Sequence, residues 1–375
     1  MKPKSFHLQW HITERCNFNC KHCYKEKEFK ELDLNNLISV LHQYIEMIKI
    51  WELDKNKRSV KLSITGGEPF LRNDFFDLIE KINENREIFT SVVIMSNGSF
   101  ITKSIVKKLK DYNISGVQIS LEGTEDINDK IRGKGSFKKA VKAIKILMKE
   151  KISVGVSVTV HKENYKDFEN LLKFLIDIGV KSIGISRFVP VCKTETVEML
   201  EPYELKEFYS FVMNKKNELA KDGINISTHC SDSLFFIENE KYDTHGCSAG
   251  YDSLSILPNG DVVPCRRLPI KVGNILEKSL FDIWYSSKKL ESIRNKGNIV
   301  KCSDCELFSK CFGGARCVAY GHFNDCFAPD PQCWKLFNSI IKKSNFKKND
   351  NISVQNEKYL EPFDPEKYFR FIGKS

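Results

Sequence analysis

Between Phe6 and Phe188 the chain repeats one unit, a short strand-like run followed by a longer segment with apolar residues at helical spacing, and this repetition narrows the available folds most. Strand-like runs at Phe6–Ile12, Ser59–Thr65, Ser91–Met95, Gly116–Leu121, Ile152–Val160 and Lys181–Phe188 alternate with helical segments. The helices fall around Leu34–Trp51, from a cap at Asn73 or Asp74 through Phe75 to Ile79, and at Lys103–Leu109, Ser136–Lys149 and Glu163–Ile178. Six strands alternating with helices imply an α/β fold, a parallel sheet with helical crossovers. Such sheets carry their active sites at the C-terminal ends of the strands, and polar motifs recur at those ends in this chain.

The first motif is Cys16-Asn17-Phe18-Asn19-Cys20-Lys21-His22-Cys23, directly after the first strand. Three close thiols suit a four-iron cluster that leaves one iron without a protein ligand, because such clusters are otherwise held by four thiolates. Two plainer readings compete: buried thiols on one helix face, or a zinc site completed by His22 or His11. Glu14, Arg15, Asn17, Asn19, Lys21 and Lys25 leave no apolar stripe for the former. The second motif, Gly66-Gly67-Glu68-Pro69, follows the second strand, and by itself reads as a βα turn.

At 375 residues the chain has room for a catalytic domain and a smaller appendage. No apolar run suits a signal peptide or a bilayer span, so a cytoplasmic protein without a membrane partner is expected. In that reducing setting the thirteen cysteines are expected as metal ligands or catalytic thiols rather than disulfides. The net charge of +10 comes from Lys and Arg spread along the chain, and no nucleic-acid-binding pattern accompanies it, so no nucleic-acid partner is expected. Beyond a helix around Tyr203–Leu219 the composition turns cysteine-rich, with a hairpin about Pro258-Asn259-Gly260-Asp261 and a helix over Leu280–Ile293.

The spacing of Cys16, Cys20 and Cys23, together with GGEP and the βα context over about residues 6 to 190, resembles the radical S-adenosylmethionine (SAM) enzymes. The resemblance implies a partial (β/α)6 TIM-like barrel and a 4Fe-4S cluster on those three cysteines, its fourth iron chelated by SAM. It also implies reductive cleavage of SAM to a 5′-deoxyadenosyl radical that abstracts hydrogen from a substrate, with reduced flavodoxin or ferredoxin as electron donor. Gly66 and Gly67 are expected to let the backbone approach the methionine moiety, and Glu68 to accept from its ammonium. Asn97, Ser120 and Glu122 are expected at the ribose or carboxylate, and His22 near the adenine. Turn-forming roles compete for these strand-end residues, and surface ion pairs are the default for Arg132 and Arg187.

The later cysteines resemble the SPASM extension, which carries one or two auxiliary iron–sulfur clusters. Cys247, Gly260 and Cys265 match its opening, and Cys302, Cys305 and Cys311 its next run. Ala315 stands where a further cysteine is expected, with Cys317 as its substitute and Cys333 as the last ligand. These seven thiols are too few for two clusters with four thiolates each. One cluster then needs Cys230, Cys326, another side chain or bound substrate. Taken alone, Cys302-x2-Cys305 also suits a zinc knuckle. Cys192 is either a packed thiol or a hydrogen-atom donor.

The organisation expected is a radical SAM core over residues 1–200, a connecting helix and linker over 201–240, a SPASM domain over 241–340 and a tail over 341–375. Such proteins mostly modify peptides or proteins, so cross-linking, epimerisation or side-chain oxidation of a peptide or protein substrate is the leading expectation. Only fifteen residues precede Cys16, which points to another surface or a separate protein for leader recognition. A small-molecule enzyme resembling the haem-biosynthesis members is the alternative, and a non-catalytic cysteine-rich metal-binding or electron-transfer protein is the alternative of another class.

Overall fold

The computed structural model describes residues 2–24, 30–52, 59–191, 197–228, 246–295, 302 and 305–336; Cys192 and Cys230 lie outside the described residues. Strands β1 (Phe6–His11), β2 (Val60–Thr65), β3 (Ser91–Ser96), β4 (Gly116–Ser120), β5 (Val154–Val160) and β6 (Ser182–Arg187) are parallel neighbours in chain order. The helices that return the chain between them are α1 (Leu34–Ile50), α2 (Phe75–Asn83), α3 (Lys103–Asp111), α4 (Glu125–Arg132), α5 (Ser136–Lys149) and α6 (Phe168–Asp177). This is the (β/α)6 arrangement of a partial TIM-like barrel.

The strands have two unlike faces, and that difference makes the cavity. In β5, Val154, Val156, Val158 and Val160 are buried against the helices, while Ser157 and Thr159 line a cavity of about 660 Å³. The same parity sends Gln9 of β1, Ser63 of β2, Met95 of β3 and Gln118 of β4 to the cavity, and Leu8, Leu62, Ile94 and Ile119 to the core. A closed barrel packs its interior with branched apolar chains; here Gln9, Ser63, Gln118, Ser157 and Thr159 share the lining with apolar surface.

Four strands beyond the six of the barrel extend the sheet, two of them the arms of the expected hairpin. After α7 (Pro202–Leu219), β7 (Asn225–Thr228) pairs parallel with β6. On the other edge β8 (Ser253–Ile256), the first strand of the expected hairpin, pairs parallel with β1 and antiparallel with β9 (Asp261–Val263), and β10 (Gly273–Asn274) follows. The described residues thus form one ten-stranded sheet that runs from the cysteine-rich segment into the barrel. Trp284, from the same segment, packs edge-on to Phe6 and Trp51 at ring separations of 5.3 and 5.2 Å.

Local signals account for where the elements differ from expectation. The single helix expected over Leu280–Ile293 is two, Leu280–Ser286 and Lys288–Arg294, because Ser287 adopts an extended conformation and its side chain accepts from the Leu290 N–H. Helix α4, absent from the sequence reading, follows Thr124 with Glu125 and Asp126 in its first turn, an acidic start that complements the helix dipole. Asp74 precedes α2 but does not cap it with its side chain; Arg72 holds the carboxylate at 2.7 and 2.8 Å.

Arg187 departs most from its surface-pair default. It is 4% exposed at the end of β6 and pairs with Asp330 at 2.7 Å and with Gln332 at 2.8 Å, so it joins the barrel to the Asp-Pro-Gln-Cys turn. Removing one partner of a buried ion pair leaves the other charge uncompensated. Arg187→Met is expected to destabilise the protein by about 3–5 kcal/mol, seen as a lower melting temperature in anaerobic circular dichroism.

Candidate functional site

The loop after β1 is fixed by backbone pairing to the turn after β2. The Gly67 N–H donates to the Thr13 carbonyl at 2.8 Å and the Glu68 N–H to the Arg15 carbonyl at 2.8 Å, so the ladder continues past both strands. A Cβ on Gly66 would meet the Thr13 carbonyl oxygen at 2.2 Å, and one on Gly67 the Arg15 carbonyl oxygen at 2.3 Å. The glycines therefore let two backbone segments touch, and both also line the cavity. Glu31 completes the support, accepting from the Thr13 hydroxyl at 2.6 Å and the Glu14 N–H at 2.9 Å.

Cys16, Cys20 and Cys23 all line the cavity and are partly buried. Each of the first two sulfurs has nitrogen donors near it: Phe18 N–H at 3.4 Å and Asn97 Nδ2 at 3.9 Å for Cys16, and Arg132 Nη1 at 3.8 Å for Cys20. Burial pushes the Cys20 thiol up to about 11 against the pull of Arg132. A metal must displace that proton, and the nearby donors suit the anionic thiolates that result. The residues present therefore fit an iron–sulfur cluster.

Of the residues expected to contact SAM, Gly66, Gly67, Asn97 and Ser120 line the cavity, whereas Glu68 and Glu122 are buried behind it. The Glu68 carboxylate accepts from the Ser96 hydroxyl at 2.9 Å and the Asn97 N–H at 2.8 Å, so it anchors the end of β3 rather than standing open to a ligand ammonium. Asn97 in turn reaches Asn17 at 2.9 Å, in the cysteine loop. Glu122 accepts from Arg132 and from the Thr159 N–H at 2.6 Å, and opposing charge keeps it ionised despite its burial. The Arg132 side chain is 11% exposed, so this pair is largely buried rather than superficial.

His22 also lines the cavity, 3.4 Å from Glu122 through Nε2 and with its ring 6.0 Å from that of His161. Burial lowers its pKa to about 4, so near neutral pH the ring beside Glu122 is uncharged.

The later cysteines fall into two groups. Cys302, Cys305, Cys311 and Cys333 share an electrostatic neighbourhood, and the N–H groups of Gly313 and Gly314 donate to the Cys311 sulfur. Cys247, Cys317 and Cys326 are buried in a separate cluster, with Cys265 packed against it. All eleven described cysteines are thiols. Among the described residues no three His, Cys, Asp or Glu side chains converge as ligands of a single metal ion. One zinc ion would draw its sulfurs to within about 3.8 Å of each other, whereas a cubane takes one thiolate at each iron corner and spreads them.

Arg266 spans both parts of the chain: it is 2% exposed, follows Cys265, and donates to Glu14 at 3.4 Å and to the Tyr24 carbonyl at 3.1 Å. Neither it nor Glu31 was singled out in the sequence, where each is one charged residue among many.

The model of the Radical SAM superfamily matches residues 10–175, and that of the SPASM iron-sulfur cluster-binding domain matches residues 247–306. The chain is 25% identical over 362 residues to a "Fe-coproporphyrin III synthase" of Methanosarcina barkeri, covering 89% of this chain and 88% of the relative. It is 26% identical over 343 residues to the mycofactocin maturase MftC of Mycolicibacterium smegmatis, covering 87% and 82%. Among solved structures, Streptococcus suis SuiB bound to its precursor peptide SuiA matches with a TM-score of 0.69 at 20% identity, covering 88% of this chain and 76% of that one. The AdoMet-bound protein anSMEcpe matches with a TM-score of 0.70 at 18% identity, covering 91% and 99%. Both share the fold.

Two outcomes are expected. Gly67→Ala drives a Cβ into the Arg15 carbonyl and should lower reconstituted iron by about four atoms per chain, read by iron analysis. Burial raises the Glu68 carboxyl from 4.5 to about 7, so its contribution to stability is complete below pH 4.5 and is lost as pH rises to about 7. The stability of the wild type relative to Glu68→Gln should fall across that window by about 3 kcal/mol, measured by thermal melts at stepped pH.

Proposed function

This chain belongs to the radical SAM superfamily and carries a SPASM domain, and from that premise we propose that it modifies a peptide or protein substrate, one side chain of which enters the cavity at the strand ends. Its cofactors are a 4Fe-4S cluster, SAM and auxiliary iron–sulfur clusters. When bound at the strand ends, the cluster and SAM supply a 5′-deoxyadenosyl radical that abstracts hydrogen from substrate.

Cys16, Cys20 and Cys23 hold that cluster and leave one iron for SAM. Asn97 and Ser120 offer polar groups to SAM from the ends of β3 and β4, and His22 flanks it as a neutral ring. Glu68 and Glu122 act from behind, the former by fixing Ser96 and Asn97 and the latter by fixing Arg132 beside the Cys20 sulfur. The apolar faces of the strands keep water from the helix side of the cavity.

The observation that carries the peptide reading is the shape and lining of the cavity. Its volume of about 660 Å³ suits roughly one drug-sized ligand, so with SAM bound there it would leave room for a substrate side chain. Hydroxyls and amides from Gln9, Ser63, Gln118, Ser157 and Thr159 provide partners for a peptide group. The maturase relative supports this reading. A second reading, in which a tetrapyrrole is the substrate, is favoured by the Methanosarcina barkeri relatives, whose alignments cover 87–89% of this chain.

The same proposal includes reduced flavodoxin or ferredoxin as electron donor, a separate protein for leader recognition and a cytoplasmic setting. It keeps the core over residues 1–200, the linker over 201–240, the SPASM domain over 241–340 and the tail beyond. Among the described residues no helix is long and apolar enough to cross a membrane.

Anaerobically reconstituted protein with SAM and dithionite is expected to release 5′-deoxyadenosine. The joint substitution of Cys16, Cys20 and Cys23 by Ala should abolish that release and retain auxiliary iron. A mass change in a short peptide encoded beside the gene supports the peptide reading; turnover of an iron-coproporphyrin with none on the peptide transfers the assignment to the second reading.

A further inference from the structure

Seven cysteines matching the SPASM pattern leave one cluster a ligand short, and the structure supplies a candidate for the eighth. Cys302, Cys305, Cys311 and Cys333 already make a complete set of four, grouped about the Asp330 turn. Cys247, Cys265 and Cys317 remain, and all three line the cavity. Cys326 packs in the same buried cluster as Cys247 and Cys317, against which Cys265 lies, at 5% exposure. It also lies within electrostatic range of Cys247.

A second observation at the same place points to an anion. Arg316 is 4% exposed, and both Nη1 and Nη2 are buried with no hydrogen-bond partner; the guanidinium rests 5.3 Å from the Phe327 ring centroid. Its charge reaches both Cys247 and Cys326, and its backbone N–H donates to the Cys247 sulfur. A buried guanidinium without an acceptor is costly. Four thiolates on an iron–sulfur cubane carry net negative charge and present sulfur acceptors, which is what this guanidinium lacks.

We propose that Cys326 is the fourth ligand of an auxiliary cluster held by Cys247, Cys265 and Cys317, and that the Arg316 guanidinium donates to the sulfurs of that cluster. This rests on the SPASM reading and goes beyond it, because the alternatives for the missing ligand were Cys230, another side chain or the substrate. A cluster closed by four thiolates has no vacant iron for a substrate to occupy. Arg316 is a positioning and tuning residue, since a positive hydrogen-bond donor at the sulfurs raises a cluster's reduction potential.

The test uses the full chain with Cys16, Cys20 and Cys23 replaced by Ala, so that only auxiliary iron is counted. Mössbauer spectra and iron analysis are expected to show about eight irons in two cubane sites. Adding Cys326→Ala should leave the site of Cys302, Cys305, Cys311 and Cys333 intact, as an internal check on folding, and reduce the other to a three-iron species or to nothing. Cys326→Ser should keep four irons there with one iron site shifted in isomer shift, as oxygen replaces sulfur. Cys230→Ala should change nothing, and Arg316→Gln should move the potential of that site alone to a more negative value in potentiometric EPR.

Two intact cubanes with unaltered spectra in both Cys326 variants overturn the proposal, as does loss of iron in Cys230→Ala instead. A background protein without auxiliary iron would contradict the SPASM reading itself, and is distinguishable because it appears before Cys326 is touched.

Discussion

The backbone contact between residues 13–15 and 66–68 is the constraint on which the mouth of the barrel depends. Two strand-end segments approach until their carbonyls stand where a Cβ would be, at 2.2 and 2.3 Å, and only glycine permits it. Once this contact forms, the cysteine loop is no longer an independent excursion. Its entry is pinned to β2, and Glu68, carried on the same turn, reaches across to Ser96 and Asn97 at the end of β3. Three consecutive strand ends are thereby locked together, and Asn97 returns the connection to Asn17 in the loop.

The cysteine-rich segment is tied to this mouth by three independent means. Strand β8 adds directly to β1, Arg266 reaches Glu14 and Tyr24 beside the first thiols, and the Arg187–Asp330 pair fastens the other side. Cys247, Cys265 and Cys317 consequently face the same cavity as Cys16, Cys20 and Cys23. A buried ion pair contributes little net stability against apolar replacements, so the worth of Arg187–Asp330 lies in fixing one relative placement of its two segments.

Much of this was legible in the sequence, because local periodicity decides strand and helix, and because Cys-x3-Cys-x2-Cys and Gly-Gly-Glu-Pro are set by immediate geometric need. What it left hidden depended on partners distant in the chain. The pairing of β8 with β1 joins residues about 250 apart, and SLSI read only as one arm of a hairpin. Glu68 was expected to meet a ligand because its motif pointed to the mouth, yet Ser96 and Asn97 claim its carboxylate. A usable signal was passed over: V-x-V-x-V in β5 and the matching alternation in β2 mark strands with one polar face, unlike the continuous apolar runs of a sheet buried on both sides. Cys326 stood out as surplus, and its grouping with Cys247 and Cys317 needed the folded chain.

The central claim is that three thiols at this mouth hold a four-iron cluster whose fourth iron takes the amino and carboxylate groups of SAM. Electron-nuclear double resonance of the anaerobically reduced protein, with SAM labelled by 17O in its carboxylate and 15N in its amino group, tests it directly. The account predicts couplings from both labels to the cluster of Cys16, Cys20 and Cys23, absent when those three residues are Ala. A reduced cluster at these cysteines that shows neither coupling under saturating SAM would contradict it.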